Sequence, residues 1–141
     1  MKKKMKVSEL ANKLNTTGET VRYYTRLKYL EPAVDPTNGY KLYGAREQHR
    51  LSFILSSRML GFTVKDIGLI LSESDKGIVP CPLVRKLIEH RTHALNDQFD
   101  KTILLKNRME KAIKKWQKEP NREPTGTSIC NLIENFDEYD D

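Results

Sequence analysis

Two sets of side chains in this sequence have the chemistry for a site: cations interleaved with phenols, and a pair of thiols. The stretch "ETVRYYTRLKYLEP", residues 19–32, sets Tyr23, Tyr24 and Tyr29 among Arg22, Arg26 and Lys28, and "NGYKLY" further on adds Tyr40 and Lys41. Guanidinium, ammonium and phenol groups at this density suit the phosphates, sugars and base edges of a polyanion. Cys81 in "VPCPLVRK" and Cys130 in "TSICNLIE" are the only two cysteines, and thiolates are soft ligands for zinc, cadmium, lead, mercury or copper(I).

The charge distribution supports the first chemistry. The chain has 141 residues and a formal charge of +6, yet residues 1–72 hold 13 Lys/Arg against 6 Asp/Glu, while residues 73–141 hold 12 against 13. The basic surface therefore lies in the first half, and for an intracellular protein its usual target is nucleic acid. No apolar run approaches the roughly 20 residues of a membrane span. Met1-Lys2-Lys3-Lys4 is not followed by the apolar segment of a signal peptide. These features predict a cytoplasmic protein without membrane attachment. The end, "ENFDEYDD", carries five acidic side chains and is expected to fray.

These residues need elements to position them. "KVSELANKLNTT" places Val7, Leu10, Ala11 and Leu14 at helical spacing, with Ser8 as the expected cap. A second helix opens at Thr17 or Gly18 and runs through Leu27, with Val21, Tyr24 and Leu27 or Lys28 on one face and Glu19, Arg22, Tyr23 and Arg26 on the others. Two short helices joined by about three residues make a helix-turn-helix, whose second helix enters the major groove. Pro32 and Pro36 then stop helix, and Asn38-Gly39 marks a tight turn between Ala33–Asp35 and Tyr40–Tyr43, a small β-ribbon or wing. On such a wing Tyr40 and Lys41 meet phosphate and sugar, whereas Tyr43 is expected to pack the ribbon onto the helices. A third helix over Ala45–Leu60 turns Leu51, Ile54, Leu55 and Met59 inward and leaves Arg46, Arg50 and Arg58 outside. The fourth starts after Thr63, with Asp66 completing a capping box and Val64, Ile67, Leu69, Ile70 and Leu71 as core.

"KVSELANKLNTTGETVRYYTRLKYLEP", "NGYKLYG" and "RMLGFTVKDIGLIL" together resemble the DNA-binding half of the MerR family of bacterial transcriptional regulators, without a gap, over about half the chain. The resemblance implies that Arg22 and Tyr23 face the major groove, that Tyr40 and Lys41 hold phosphates, and that Arg58 adds a backbone contact.

From Leu83 to Lys118 there is neither proline nor glycine, a run of roughly 54 Å at helical rise and too long for a small core. In heptads, Ile88, Leu95, Thr102, Met109 and Trp116 take one seam position and Arg91, Gln98, Leu105 and Ala112 the other, with Phe99 and Ile113 adjoining. The seam is broken at Arg91 and Gln98, yet only a second chain can cover it. The expected architecture is mainly α. A winged helix-turn-helix DNA-binding domain occupies 1–72 and a linker 73–82. A long antiparallel coiled-coil dimerisation helix follows over 83–118, then a C-terminal effector loop, short helix and acidic tail over 119–141.

The family likeness implies the antiparallel homodimer, and two-fold symmetry demands a near-palindromic operator. It also implies that the dimer bends and underwinds promoter DNA when an inducer binds, so that RNA polymerase finds its two recognition elements in register. Cys81 stands where metal-sensing members carry a cysteine, and "CNLIE" looks like the end of their metal loop. In an antiparallel dimer, Cys81 of one subunit approaches Cys130 of the other. A further loop cysteine of those sensors is absent, the corresponding stretch reading "EPNREPTG". A zinc site has four ligands as a rule, so His90, His93, Glu119 or Glu123 would have to complete it. A lone cysteine is more often a small buried hydrophobe. Thiol-stress sensing, an organic inducer, or an architectural DNA-binding role with no inducer are the alternatives. Neither a convergent nucleophile or acid–base set nor a phosphate-binding glycine loop is present, so the sequence does not predict an enzyme.

Overall fold

The computed structural model describes residues 3–137. Six helices and one ribbon follow in order: α1 (Val7–Lys13), α2 (Gly18–Arg26), β1 (Ala33–Val34), β2 (Lys41–Leu42), α3 (Ala45–Met59), α4 (Val64–Asp75), α5 (Cys81–Trp116) and α6 (Asn131–Glu134). They form two compact units, the first ending at Arg91 and the second beginning at Thr92. The end of the acidic tail lies outside the described residues.

Local chemistry sets most helix starts. Thr17 caps α2, its hydroxyl accepting from the Thr20 N–H at 3.1 Å. At α4 the Thr63 hydroxyl accepts from Asp66 N–H at 3.0 Å while the Asp66 carboxylate accepts from Thr63 N–H at 3.1 Å, the expected reciprocal box. The cap of α1 differs from expectation. Ser8 lies inside the helix, and the N-cap is Lys6, whose backbone N–H donates to Glu9 at 3.2 Å. A lysine side chain has no acceptor to return the favour, so this cap is one-sided. At the far end of α2, Lys28 takes the left-handed conformation with φ 64°, a place where glycine costs nothing.

The core of the first unit gathers Leu10, Val21, Leu30, Tyr43, Leu51, Ile54 and Ile67, all essentially solvent-free. Leu83, Val84, Leu87 and Ile88, from the first turns of α5, pack against it, so this core draws on residues well beyond Ser72. Two expected core residues are outside: Met59 is 89% exposed and Leu69 46%. At about 100° per residue, Met59 lies about 140° around α3 from Ile54, and Leu69 about 200° around α4 from Ile67. Leu27, at the end of α2, is likewise exposed rather than on the buried face of Val21 and Tyr24.

The ribbon is antiparallel, pairing Ala33 with Leu42 and Val34 with Lys41. Gly39, at φ 75°, closes its turn, where Asn38 accepts from Tyr40 N–H and Asp35 accepts from Thr37 N–H. The ribbon does not stand alone. Met5 bridges Tyr43 through two backbone hydrogen bonds of 2.9 and 2.7 Å, and the Tyr43 hydroxyl lies 2.8 Å from Thr25 Oγ1 on α2. Tyr43 is thus the packing tyrosine that the sequence suggests.

In the second unit the polar loop after α5 returns to it through Trp116, whose indole N–H donates to the Leu132 carbonyl at 3.1 Å and whose ring meets Phe136 edge-on. Trp116 is therefore engaged within its own chain. Leu95, Phe99, Leu104, Leu105, Met109 and Ile113 of α5 are exposed in the single chain.

Candidate nucleic-acid interface

A concave groove of about 520 Å³ lies between the start of α1, the turn into α2, the first turns of α2 and the wing. Its lining includes Lys6, Thr17, Gly18, Arg22, Tyr40 and Lys41. Three of the five residues singled out from sequence, Arg22, Tyr40 and Lys41, therefore share one concavity. Gly18, in the first turn of α2, makes room for the Arg22 guanidinium: a β-carbon there would meet Nη1 at 3.2 Å.

Tyr23 and Arg58 are exposed but do not line this groove. Tyr23 packs edge-on against Tyr24 at 5.1 Å, and the Arg26 guanidinium lies 5.9 Å from its ring centre. Arg58 donates from Nη1 to the Phe62 carbonyl at 2.8 Å, which ties it to the α3–α4 turn. Burial raises the Tyr24 phenol above its ordinary range, partly offset by the Arg58 charge, and Tyr29 is raised in the same way by burial. Both phenols are neutral at any physiological pH.

Arg46 and Arg50, expected to be available, are committed to structure. Arg50 donates to the Tyr29 carbonyl and pairs with Asp75, both at 2.6 Å, while Arg46 pairs with Glu47 at 3.1 Å and Asp75 at 3.6 Å. These links join α3 to the end of α4 and to the residues after α2. Sequence spacing placed the arginines on the right face of α3, but Asp75 is distant in sequence and gave no sign of its role.

Lys6 was missed. Its ammonium sits 4.8 Å from the centre of the Tyr40 ring and it lines the same groove. Nothing in the basic run "MKKKMK" separates this lysine from its neighbours.

The two thiols belong to different units. Cys81 is the exposed first residue of α5, and Cys130 is the half-buried N-cap of α6 in the second unit. The Glu134 carboxylate accepts from the backbone N–H groups of Ile129 and Cys130 and from the Ser128 hydroxyl, and these bonds hold it below its usual value. The Cys130 turn is thereby a defined structure. Among the described residues no group of three or more His, Cys, Asp or Glu side chains is placed to hold a metal ion. The thiols have the donor chemistry for a soft cation, but His90, His93, Glu119 and Glu123 do not complete a site around either within one chain.

A helix-turn-helix with a wing, opening a basic groove at the recognition helix, is the fold of a DNA-binding regulator. Residues 5–74 match the model of the MerR HTH family of regulatory proteins and residues 48–112 the MerR DNA-binding model. A probable heavy metal-dependent transcriptional regulator of Haemophilus influenzae is 31% identical over 96 residues, covering 68% of this chain and 75% of that protein. The mercuric resistance operon regulatory protein of Bacillus cereus is 35% identical over 78 residues, covering 55% and 59%. In fold, the chain is similar to the lead(II) complex of the transcription regulator PbrR691 from Ralstonia metallidurans CH34, with TM-score 0.70 and 19% identity over 92% of this chain and 97% of that one. The chain belongs to the MerR family, whose members are DNA-binding transcriptional regulators and not enzymes. Among the described residues no helix is long and apolar enough to cross a membrane.

Proposed function

We propose that this regulator binds a near-palindromic promoter as a cytoplasmic homodimer, and that an inducer shifts the dimer to a state that bends and underwinds the DNA for RNA polymerase. The observation that carries the DNA part is the groove uniting Arg22, Tyr40 and Lys41. Arg22 and Tyr23 of α2 face the major groove, Tyr40 and Lys41 hold phosphates from the wing, and Arg58 supplies a further backbone contact. In this reading the winged domain, linker, dimerisation helix and effector segment divide functionally at residues 72, 82 and 118, while the long helix itself begins at Cys81 and its first turns complete the core of the winged domain. The exposed apolar side chains of α5 support an antiparallel helix pair between subunits. Such a pair places two recognition helices on opposite half-sites, and joint engagement multiplies affinity. DNA distortion then costs deformation energy that is met by protein contacts, and the inducer acts by preferring one of two dimer conformations.

The inducer proposed is a soft cation such as zinc, cadmium, lead or mercury, held by Cys81 of one subunit and Cys130 of the other. The relatives whose names refer to heavy metals, mercury and lead support this reading. The groove is tested by Lys41→Ala. A duplex enriched from a random pool by the wild-type protein should bind less tightly, nonspecific duplexes likewise, and the slope of log K against log salt should shrink by about one unit. Unchanged affinity and slope would remove the wing from the interface.

A further inference from the structure

We propose that Lys6 is a positioning residue of the DNA interface, aiming the Tyr40 ring into the groove through a cation–π contact; this rests on the groove being the DNA-binding surface.

Tyr40 has a fixed backbone and a loosely held side chain. Its carbonyl accepts from Asp35 N–H at 2.8 Å and its N–H donates to Asn38 at 3.0 Å, but the residue is 52% exposed on a ribbon of two residues per strand. A half-exposed phenol on so short a ribbon has several rotamers open to it, and each one lost on binding costs affinity. Lys6 answers this from the other wall. Its backbone is held at the N-cap of α1 by the bond to Glu9, and the preceding residue is clamped to Tyr43 by two hydrogen bonds. The ammonium thus emerges from the point where α1 and the wing are joined, and it lies 4.8 Å from the ring centre, inside the range of a cation–π attraction. Glu9 is turned to the Lys6 backbone and to Lys3, at 3.6 Å, so its charge is partly spent elsewhere. The ring is thereby restrained before DNA arrives.

The test is a double-mutant cycle on the full chain, using the duplex enriched by the wild-type protein at fixed salt. Lys6→Met keeps the aliphatic stem and removes the charge; Tyr40→Leu removes the ring. Lys6→Met should weaken binding by about two- to five-fold in the wild-type background and have much less effect when Tyr40 is already Leu. Lys6→Arg, which retains a cation able to stack, should restore affinity to near wild type. Equal losses in both backgrounds, or no loss at all, overturn the assignment. Lys41→Ala is the control for the groove: if it weakens binding while Lys6→Met does not, Lys6 alone is misassigned, and if neither weakens binding the groove reading itself falls.

Discussion

Arg91 of α5 and Asp66 of α4 form an ion pair, with Nε 2.9 Å from Oδ2, on a carboxylate that is almost wholly buried. The same carboxylate closes the capping box with Thr63, so one side chain both starts α4 and fastens the first turns of α5 to the core. The arginine that interrupts the apolar seam in the sequence is therefore an attachment point. Burial opposes the charge on Asp66, but the Thr63 N–H and hydroxyl, together with Arg91, outweigh it and hold the carboxyl below its ordinary value.

A depressed carboxyl contributes stability above its unfolded value, near pH 4, and loses it as pH falls through the still lower folded value. Asp66→Asn should cost about 1–3 kcal/mol at pH 7. The gap between wild type and variant should close as denaturant melts are repeated from pH 5 downward. Parallel stability curves at every pH would show that the charge of Asp66 contributes nothing.

Lys28 holds a left-handed backbone that β-carbons resist. Lys28→Gly should raise stability by about 1 kcal/mol in chemical denaturation, because the strain removed exceeds the added freedom of the unfolded chain. A fall in stability would mean that the lysine side chain makes a compensating contact.

Exposed Leu95, Phe99, Leu105 and Met109 should be covered in solution by a second chain. Sedimentation at micromolar concentration should show a dimer, and Phe99→Glu with Met109→Glu should shift it toward monomer and lower operator affinity at least tenfold. A stable wild-type monomer would end the antiparallel-helix proposal.

Cys81→Ser and Cys130→Ser should each abolish a promoter response to added zinc, cadmium, lead or mercury while leaving operator binding nearly intact. Mixing the two variants should restore partial metal binding, since one of the two cross-subunit sites is then whole; a site within one subunit would show no recovery. Metal affinity should fall with pH as protons compete for the thiolates. Full response in both serine variants would point to another inducer.

Much of the DNA-binding unit was legible because its signals are local. Thr17 before α2, Thr63 with Asp66 at α4, and Asn38-Gly39 in the wing each act within three or four residues, so spacing alone identifies them. Side chains chosen by distant partners were not legible. The role of Arg50 depends on Asp75 and that of Lys6 on Tyr40, both far off in sequence; Met59 differs, since its exposure follows from the local helical phase at the end of α3. The proposed pairing of Cys81 with Cys130 would lie across two subunits, a relation that one chain's sequence pattern does not specify.

The 2.8 Å contact between Thr25 and Tyr43 sets a rule for anyone wishing to retarget this regulator. Transplanting α2 alone from a relative without a hydroxyl at residue 25 would strand the phenol of Tyr43 in a solvent-free pocket, at a cost of about 1–3 kcal/mol. It would also release the wing from the helix it flanks. Because Met5 clamps Tyr43 and Lys6 faces the Tyr40 ring, the smallest portable specificity cassette is the recognition helix together with its ribbon and the segment that braces them, residues 5–43, exchanged as a block.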